Sequence, residues 1–90
     1  MNKILIITTE GCEACTIAER NIDIAMMQTS KEITKEVVNH KKLDKQFLRK
    51  NRVTDFPAVI YITNDVIVHR CCGTYPSSVY LRWIDVYFKF

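Results

Sequence analysis

Glycine and proline are almost missing from this chain: Gly11, Gly73, Pro57 and Pro76 are all that 90 residues hold. With so few chain breakers there is no linker, no internal repeat and no low-complexity segment. The length leaves room for one core, residues 1–90, and no separate regulatory domain. Long apolar runs are missing too. The first, Ile4-Leu5-Ile6-Ile7, follows a lone Lys3 and stops at Thr8-Thr9-Glu10. It is too short for a signal-peptide core and far too short to span a bilayer, so no membrane partner and a cytoplasmic location are the expectation. Acids are scarce in one window, where Asp44 is alone among Lys41, Lys42, Lys45, Arg49, Lys50 and Arg52. Such a run could attract an acidic partner or nucleic acid. No nucleic-acid motif and no aromatic sheet surface accompany it, so it reads as a solvated helix face, with no nucleic-acid partner.

What the chain does have is four cysteines, Cys12, Cys15, Cys71 and Cys72. In a reducing compartment these point to thiol redox or metal chemistry more than to structural disulfides. Gly11-Cys12-Glu13-Ala14-Cys15 lies between the first apolar run and a helix-forming segment that starts near Thr16. A sulfur there sits over free backbone N–H groups and the positive end of a helix dipole, which favour thiolate. An ordinary cysteine titrates at about 8.5 and is only about 3% ionised at pH 7, whereas a C-x-x-C at a helix N-terminus titrates at about 7 or lower. The difference is worth about 2 kcal/mol. Glu10 and Glu13 place carboxylates beside the sulfur and oppose it. Mild activation of Cys12 is expected, which suits a reductant or exchanger better than a strong oxidant.

Hydrophobic periodicity divides the rest. Lys3–Thr8 reads as a buried strand, continuous in aliphatics. From about Cys12 to Gln28 an amphipathic helix carries Ala14, Ile17, Ala18, Asn21/Ile22, Ala25 and Met26 inward. Ile33–Val38 alternates less cleanly as a strand, because Val38 breaks the pattern. Lys41–Lys50 is a short basic helix with Leu43, Phe47 and Leu48 on its inner side. A turn over Val53–Pro57 leads to the strand Ala58–Ile62, and Thr63-Asn64-Asp65 is hairpin chemistry before a partner strand Val66–Cys71. Pro76 suits the first turn of a last helix, with Tyr80, Leu81, Ile84 and Tyr87 or Phe88 inward.

This order, βαβαββα, carries Cys12-Glu13-Ala14-Cys15 after the first strand, Lys50 to Ala58 with a proline ahead of the third, and Cys72-Gly73 after the hairpin. It resembles the thioredoxin fold in its minimal, glutaredoxin-like size, over essentially the whole chain. The resemblance implies an α/β three-layer fold with a mixed four-stranded sheet flanked by helices, and a thiol–disulfide oxidoreductase. In that family the first cysteine attacks and the second resolves, so Cys12 would be the nucleophile and Cys15 the resolving thiol. Pro57 would follow a cis peptide bond, and Phe56, Pro57, Cys72 and Gly73 would line the substrate groove. The implied cofactor is none beyond the redox-active disulfide Cys12–Cys15, with no metal. The implied partners are protein disulfides or a small dithiol and an upstream reductase, acting on a monomer.

The chain departs from both subfamilies. Gly11 stands where thioredoxins have tryptophan, Glu13-Ala14 replace Gly-Pro between the cysteines, and the strand Ile4 to Ile7 lacks their buried acid, so proton transfer to Cys15 would need water or another group. Glu10 replaces the basic residue of glutaredoxins, and Cys71-Cys72-Gly73-Thr74 replaces their glycine pair and acid. Both changes disfavour glutathione, which carries two carboxylates.

Several readings stay open. Cys71 and Cys72 could be small packing residues, or one of them a third redox thiol or a metal ligand together with Cys12 and Cys15, and strand alternation lets only one of them face the groove. His40 reads as a surface loop residue, His69 as packed or half-exposed, and Trp83 as core or edge of the last helix. The rivals to catalysis are a non-catalytic adaptor module with the same fold, and a C-x-x-C that merely closes a local disulfide, which would contribute little entropy.

Overall fold

A computed structural model describes all residues, 1–90. The elements are β1 (Asn2–Thr8), α1 (Glu13–Met27), β2 (Ile33–Asn39), α2 (Lys45–Lys50), β3 (Ala58–Thr63), β4 (Val66–Cys72) and α3 (Ser77–Tyr87). The sheet runs β2-β1-β3-β4, with β2 parallel to β1 and the other two pairings antiparallel. A parallel pair needs a crossover, and α1 is that crossover. β1 and β3 lie in the middle, so both their faces are covered. Their sequences are accordingly continuous in apolar residues, Ile4 to Ile7 and Ala58 to Tyr61, all buried.

Side chains on opposite faces of the sheet build two apolar layers. Ile4, Ile6, Val59 and Tyr61 meet Ala18, Ile22 and Ala25 of α1, Tyr80 and Ile84 of α3, and Phe88. On the other face Leu5, Ile7, Ala58 and Ile60 meet Leu43, Phe47 and Leu48. Helices on both sides of a mixed sheet give the three-layer arrangement expected from the element order.

Some local expectations change. The helix predicted over Lys41–Lys50 is two pieces, a 3-10 turn His40–Lys42 and then α2. Asn39 and Asp44 each accept an N–H two residues ahead, from Lys41 at 2.9 Å and Gln46 at 3.0 Å, so Asn39 caps the first piece and Asp44 starts the second after the extended Leu43. On α1 the buried stripe is Cys15, Ala18, Ile22 and Ala25. Ala14 is exposed, and the Asn21 side chain donates to the Tyr75 carbonyl at 3.0 Å instead of entering the core. Pro76 precedes the first turn of α3 as its N-cap, with extended backbone. β4 is paired through Cys72 and contains a bulge, since Tyr61 faces His69 while Ile62 faces Ile67.

Candidate functional site

The site forms at the C-terminal end of β1, where three elements are brought level by the pairing register. Ile7 lies beside Ala58, one residue after Pro57, and Thr8 lies beside Asn39, one residue before His40. The chain then leaves β1 through Thr9, Glu10 and Gly11, whose positive φ of 66° turns it into α1. Gly73, at φ 98°, makes the corresponding turn after β4.

Cys12 is the N-cap of α1 and is bonded to Cys15 as a disulfide, with their Cα atoms 5.2 Å apart. Its Sγ accepts the Cys15 N–H at 3.0 Å, so one of the free donors of the helix start points at the sulfur. The two sulfurs differ in access. Cys12 is half-buried, whereas Cys15 is 5% exposed and belongs to the packed stripe of α1. Both line an open concavity of about 560 Å³, walled by Thr8, Thr9, Thr16, Glu13, Glu19 and Val37.

The Phe56–Pro57 peptide bond is cis and Pro57 is buried. The Gly73 N–H donates to the Pro57 carbonyl at 2.8 Å, and the next residue, Thr74, donates its hydroxyl to the Ala14 carbonyl at 3.0 Å. Two consecutive residues of the β4–α3 loop therefore tie the proline to the cysteine turn. Thr74 has no helical or strand periodicity around it, and nothing in the sequence marks it for this contact. The Phe56 ring lies 4.8 Å from the His40 ring, at 34°. His40 was expected on a surface loop; the β1–β2 register carries it instead against the residue before the cis bond.

Pro57 and Gly73 are thus tied to the Cys12–Cys15 turn through Thr74, and Phe56 packs on His40 and the α2-side layer, but Cys72 is set apart. Cys71 pairs with Val59 and Cys72 with Ala58, so the two thiols face opposite layers. Cys71 packs beside the α1–α3 layer and Cys72 beside the α2 layer. Cys72 lines a separate concavity of about 280 Å³ with Asn51, Arg52, Val53, Ala58, Ile60 and Arg70. Its Sγ lies 4.0 Å from the Arg52 carbonyl. Burial pushes the Cys71 thiol up to about 12, with the neighbouring Cys72 adding to the shift and a backbone hydrogen bond from Val59 opposing it. Nowhere do three His, Cys, Asp or Glu side chains gather at metal-ligand distance, so neither Cys71 nor Cys72 joins the motif in a ligand set.

Charges around the disulfide are more balanced than the sequence implies. Glu10 is met by Lys41 at 3.4 Å, and Glu19 by Lys35 at 2.7 Å, which also holds Asp23 at 2.7 Å. Burial disfavours the Lys35 ammonium, but Asp23 and Glu19 outweigh it and hold its pKa above the ordinary lysine range. The buried acid of thioredoxins has no substitute here, because Ile4, Ile6 and Ile7 leading to the motif are all fully buried and apolar.

Sheet order, crossover, cis proline and an N-capping C-x-x-C define the thioredoxin fold, and this chain has it. No family model matches the sequence, and no curated protein does. Among solved structures it is similar to thioredoxin-2, described as a component of malaria parasite protein secretion machinery, with TM-score 0.78 and 22% identity over 96% of this chain and 82% of that one. A malarial protein superposes with TM-score 0.77 and 21% identity over 99% of both chains. Chloroplastic thioredoxin z gives TM-score 0.73 and 11% identity over 96% of this chain and 77% of that one. No helix is long and apolar enough to cross a membrane.

Proposed function

We propose that the chain is a thiol–disulfide oxidoreductase that reduces or exchanges disulfides in protein or small dithiol partners. The observation that carries this is the asymmetry of the cysteine pair: Cys12 half-open at the helix cap with a donor on its sulfur, Cys15 5% exposed behind it. In the reduced form the Cys12 thiolate is the better nucleophile, since a hydrogen bond to a charged acceptor is worth about 1.5–3 kcal/mol. It attacks one sulfur of the target disulfide, forming a mixed disulfide and releasing the other target sulfur as thiolate, which takes up a proton. Cys15 then loses its proton and attacks the Cys12 sulfur, the Cys12–target bond breaks, and the second target thiolate leaves and is protonated. Two electrons and two protons have moved to the target, and the Cys12–Cys15 disulfide is restored. With apolar isoleucines beneath it, Cys15 exchanges its proton with water in the concavity that both cysteines line. An upstream dithiol reductase then returns two electrons. Glutathione is the less suitable partner, because Glu13 and Glu19 border that concavity.

Reduction of insulin or of a dithiol dye tests this. Cys12→Ser is expected to lower turnover to background, a loss of at least about 100-fold. Cys15→Ser is expected to stop after one step and accumulate a mixed disulfide on Cys12, visible by intact mass. Equal activity of Cys12→Ser and the parent would leave an adaptor module as the better reading.

A further inference from the structure

We propose that the cationic face running from Lys41 to Arg52 selects disulfide substrates whose flanking residues are acidic. This rests on the oxidoreductase reading and adds the class of substrate. Lys41, Lys42, Lys45, Arg49, Lys50 and Arg52 are all exposed. Lys41 alone among them has a carboxylate partner, Glu10 at 3.4 Å; the other five have none. The inner side of the segment is fixed to the sheet by Leu43, Phe47 and Leu48, so the cations are held outward together.

The face reaches the cysteine motif at one end and the loop that holds the cis proline at the other. At one end the Lys41–Glu10 pair abuts the motif, and His40 lies on Phe56. At the other end the Arg52 carbonyl lies 4.0 Å from Cys72 Sγ, next to Gly73, whose N–H holds Pro57. Arg52 itself is kept at φ 54°, a backbone region that disfavours residues other than glycine. It lines both the concavity at Cys72 and a second one of about 560 Å³, where Leu48 and Val53 form the floor and Lys45 and Arg49 the rim. An apolar floor with a cationic rim suits an aliphatic side chain followed by aspartate or glutamate. The α1 side of the disulfide carries Glu13, which has no cationic partner, and Glu19, whose Lys35 is shared with Asp23, so a net negative charge remains there and would repel the same acidic segment in the opposite orientation.

A polypeptide fits better than a nucleic acid. Stacking of bases needs exposed aromatic platforms beside the cations. Here Tyr75, Tyr80, Trp83 and Tyr87 pack with one another and with His69 around α3 and β4. Clustered cations of this kind act mainly on encounter rates, raising them by about 10- to 1,000-fold at low salt, with a screening length of about 8 Å at 0.15 M.

The test compares two peptides with the same internal disulfide, one flanked by Asp and Glu and one by Lys, at 20 mM and 300 mM salt, with hydroxyethyl disulfide as an uncharged control. The parent is expected to reduce the acidic peptide at least tenfold faster than the basic one at low salt, with the ratio collapsing at high salt. The Lys45→Glu/Arg49→Glu double variant is expected to lose that preference while reducing the uncharged disulfide at the parent rate, which also certifies its fold. Equal rates for both peptides in the parent, or an unchanged preference in the variant, overturn the proposal while leaving the oxidoreductase reading intact. If no disulfide is reduced, that reading fails, and anisotropy with a labelled cysteine-free acidic peptide decides the docking: saturable binding lost in the double variant supports it, and no binding overturns it. Tighter binding of a single-stranded oligonucleotide than of the acidic peptide also overturns it.

Discussion

Cys71 and Cys72 are adjacent in sequence and chemically unlike in the fold. Burial and its neighbours push Cys71 up to about 12, so it stays a thiol through the physiological range and behaves as a small packing residue. In reduced protein alkylated at pH 8 and read by peptide mass spectrometry, Cys12 should be modified well before Cys71; comparable rates of these two would contradict the packing of Cys71 against the α1–α3 layer. His69 also owes its chemistry to its surroundings. Its ring stacks on Tyr87 at 4.5 Å and 8°, lies 4.6 Å from Trp83, and leaves Nε2 buried without a partner. Burial, and then the charge of Arg70, hold its pKa below the ordinary 6.5. As pH falls through 6.5 the unfolded chain takes up a proton that the folded ring refuses, so stability drops until the folded imidazole titrates in turn. Melting temperatures between pH 7.5 and 5.5 should therefore fall more in the parent than in His69→Phe, which keeps the stacking; parallel curves would argue that His69 is as protonatable folded as unfolded.

At the scale of elements, the β3–β4 hairpin is set by two residues. Asn64 and Asp65 both have positive φ, 50° and 65°, the conformation that matches a tight turn to the twist of its strands. Asn64 additionally accepts from the amino terminus through its side chain, and its N–H donates to the Met1 carbonyl at 2.9 Å. Asn64→Ala should cost about 1 kcal/mol, because a left-handed residue other than Asn, Asp or Gly is disfavoured by roughly 1–2 kcal/mol. Chemical denaturation measures it, and a neutral result would mean the turn relaxes to another type. The turn of this hairpin was legible in the sequence, since turn chemistry is local, whereas the bulge in β4 was not. The second helix was only partly so. Its inner residues Leu43, Phe47 and Leu48 do face the sheet, but the interruption at Leu43–Asp44 depends on the Asp44 side chain capturing a backbone N–H, which hydrophobic periodicity does not register.

For the whole molecule, the radius of gyration of the Cα atoms is 12.2 Å, matching the roughly 12 Å of a compact chain of this length. The exposed apolar residues Met1, Ile24, Met27, Val37, Val66, Val86 and Phe90 are spread over several elements. A monomer is the proposed state, and small-angle scattering should give a value only slightly above 12.2 Å, raised by side chains and hydration. A markedly larger radius that falls on dilution would indicate self-association instead. The sequence by itself determined the element order, the central strands and the position of Cys12 at a helix start, because strand and helix periodicities and caps are written within a few residues. Only the tertiary structure decided which sheet face each of Cys71 and Cys72 takes, that His40 lies on Phe56, that Lys41 offsets Glu10, and that Thr74 ties its loop to Ala14. Glu10 and Lys41 are 31 residues apart, and Thr74 and Ala14 are 60. Contacts at that separation follow from strand register and the packing of whole elements, and no local pattern encodes them.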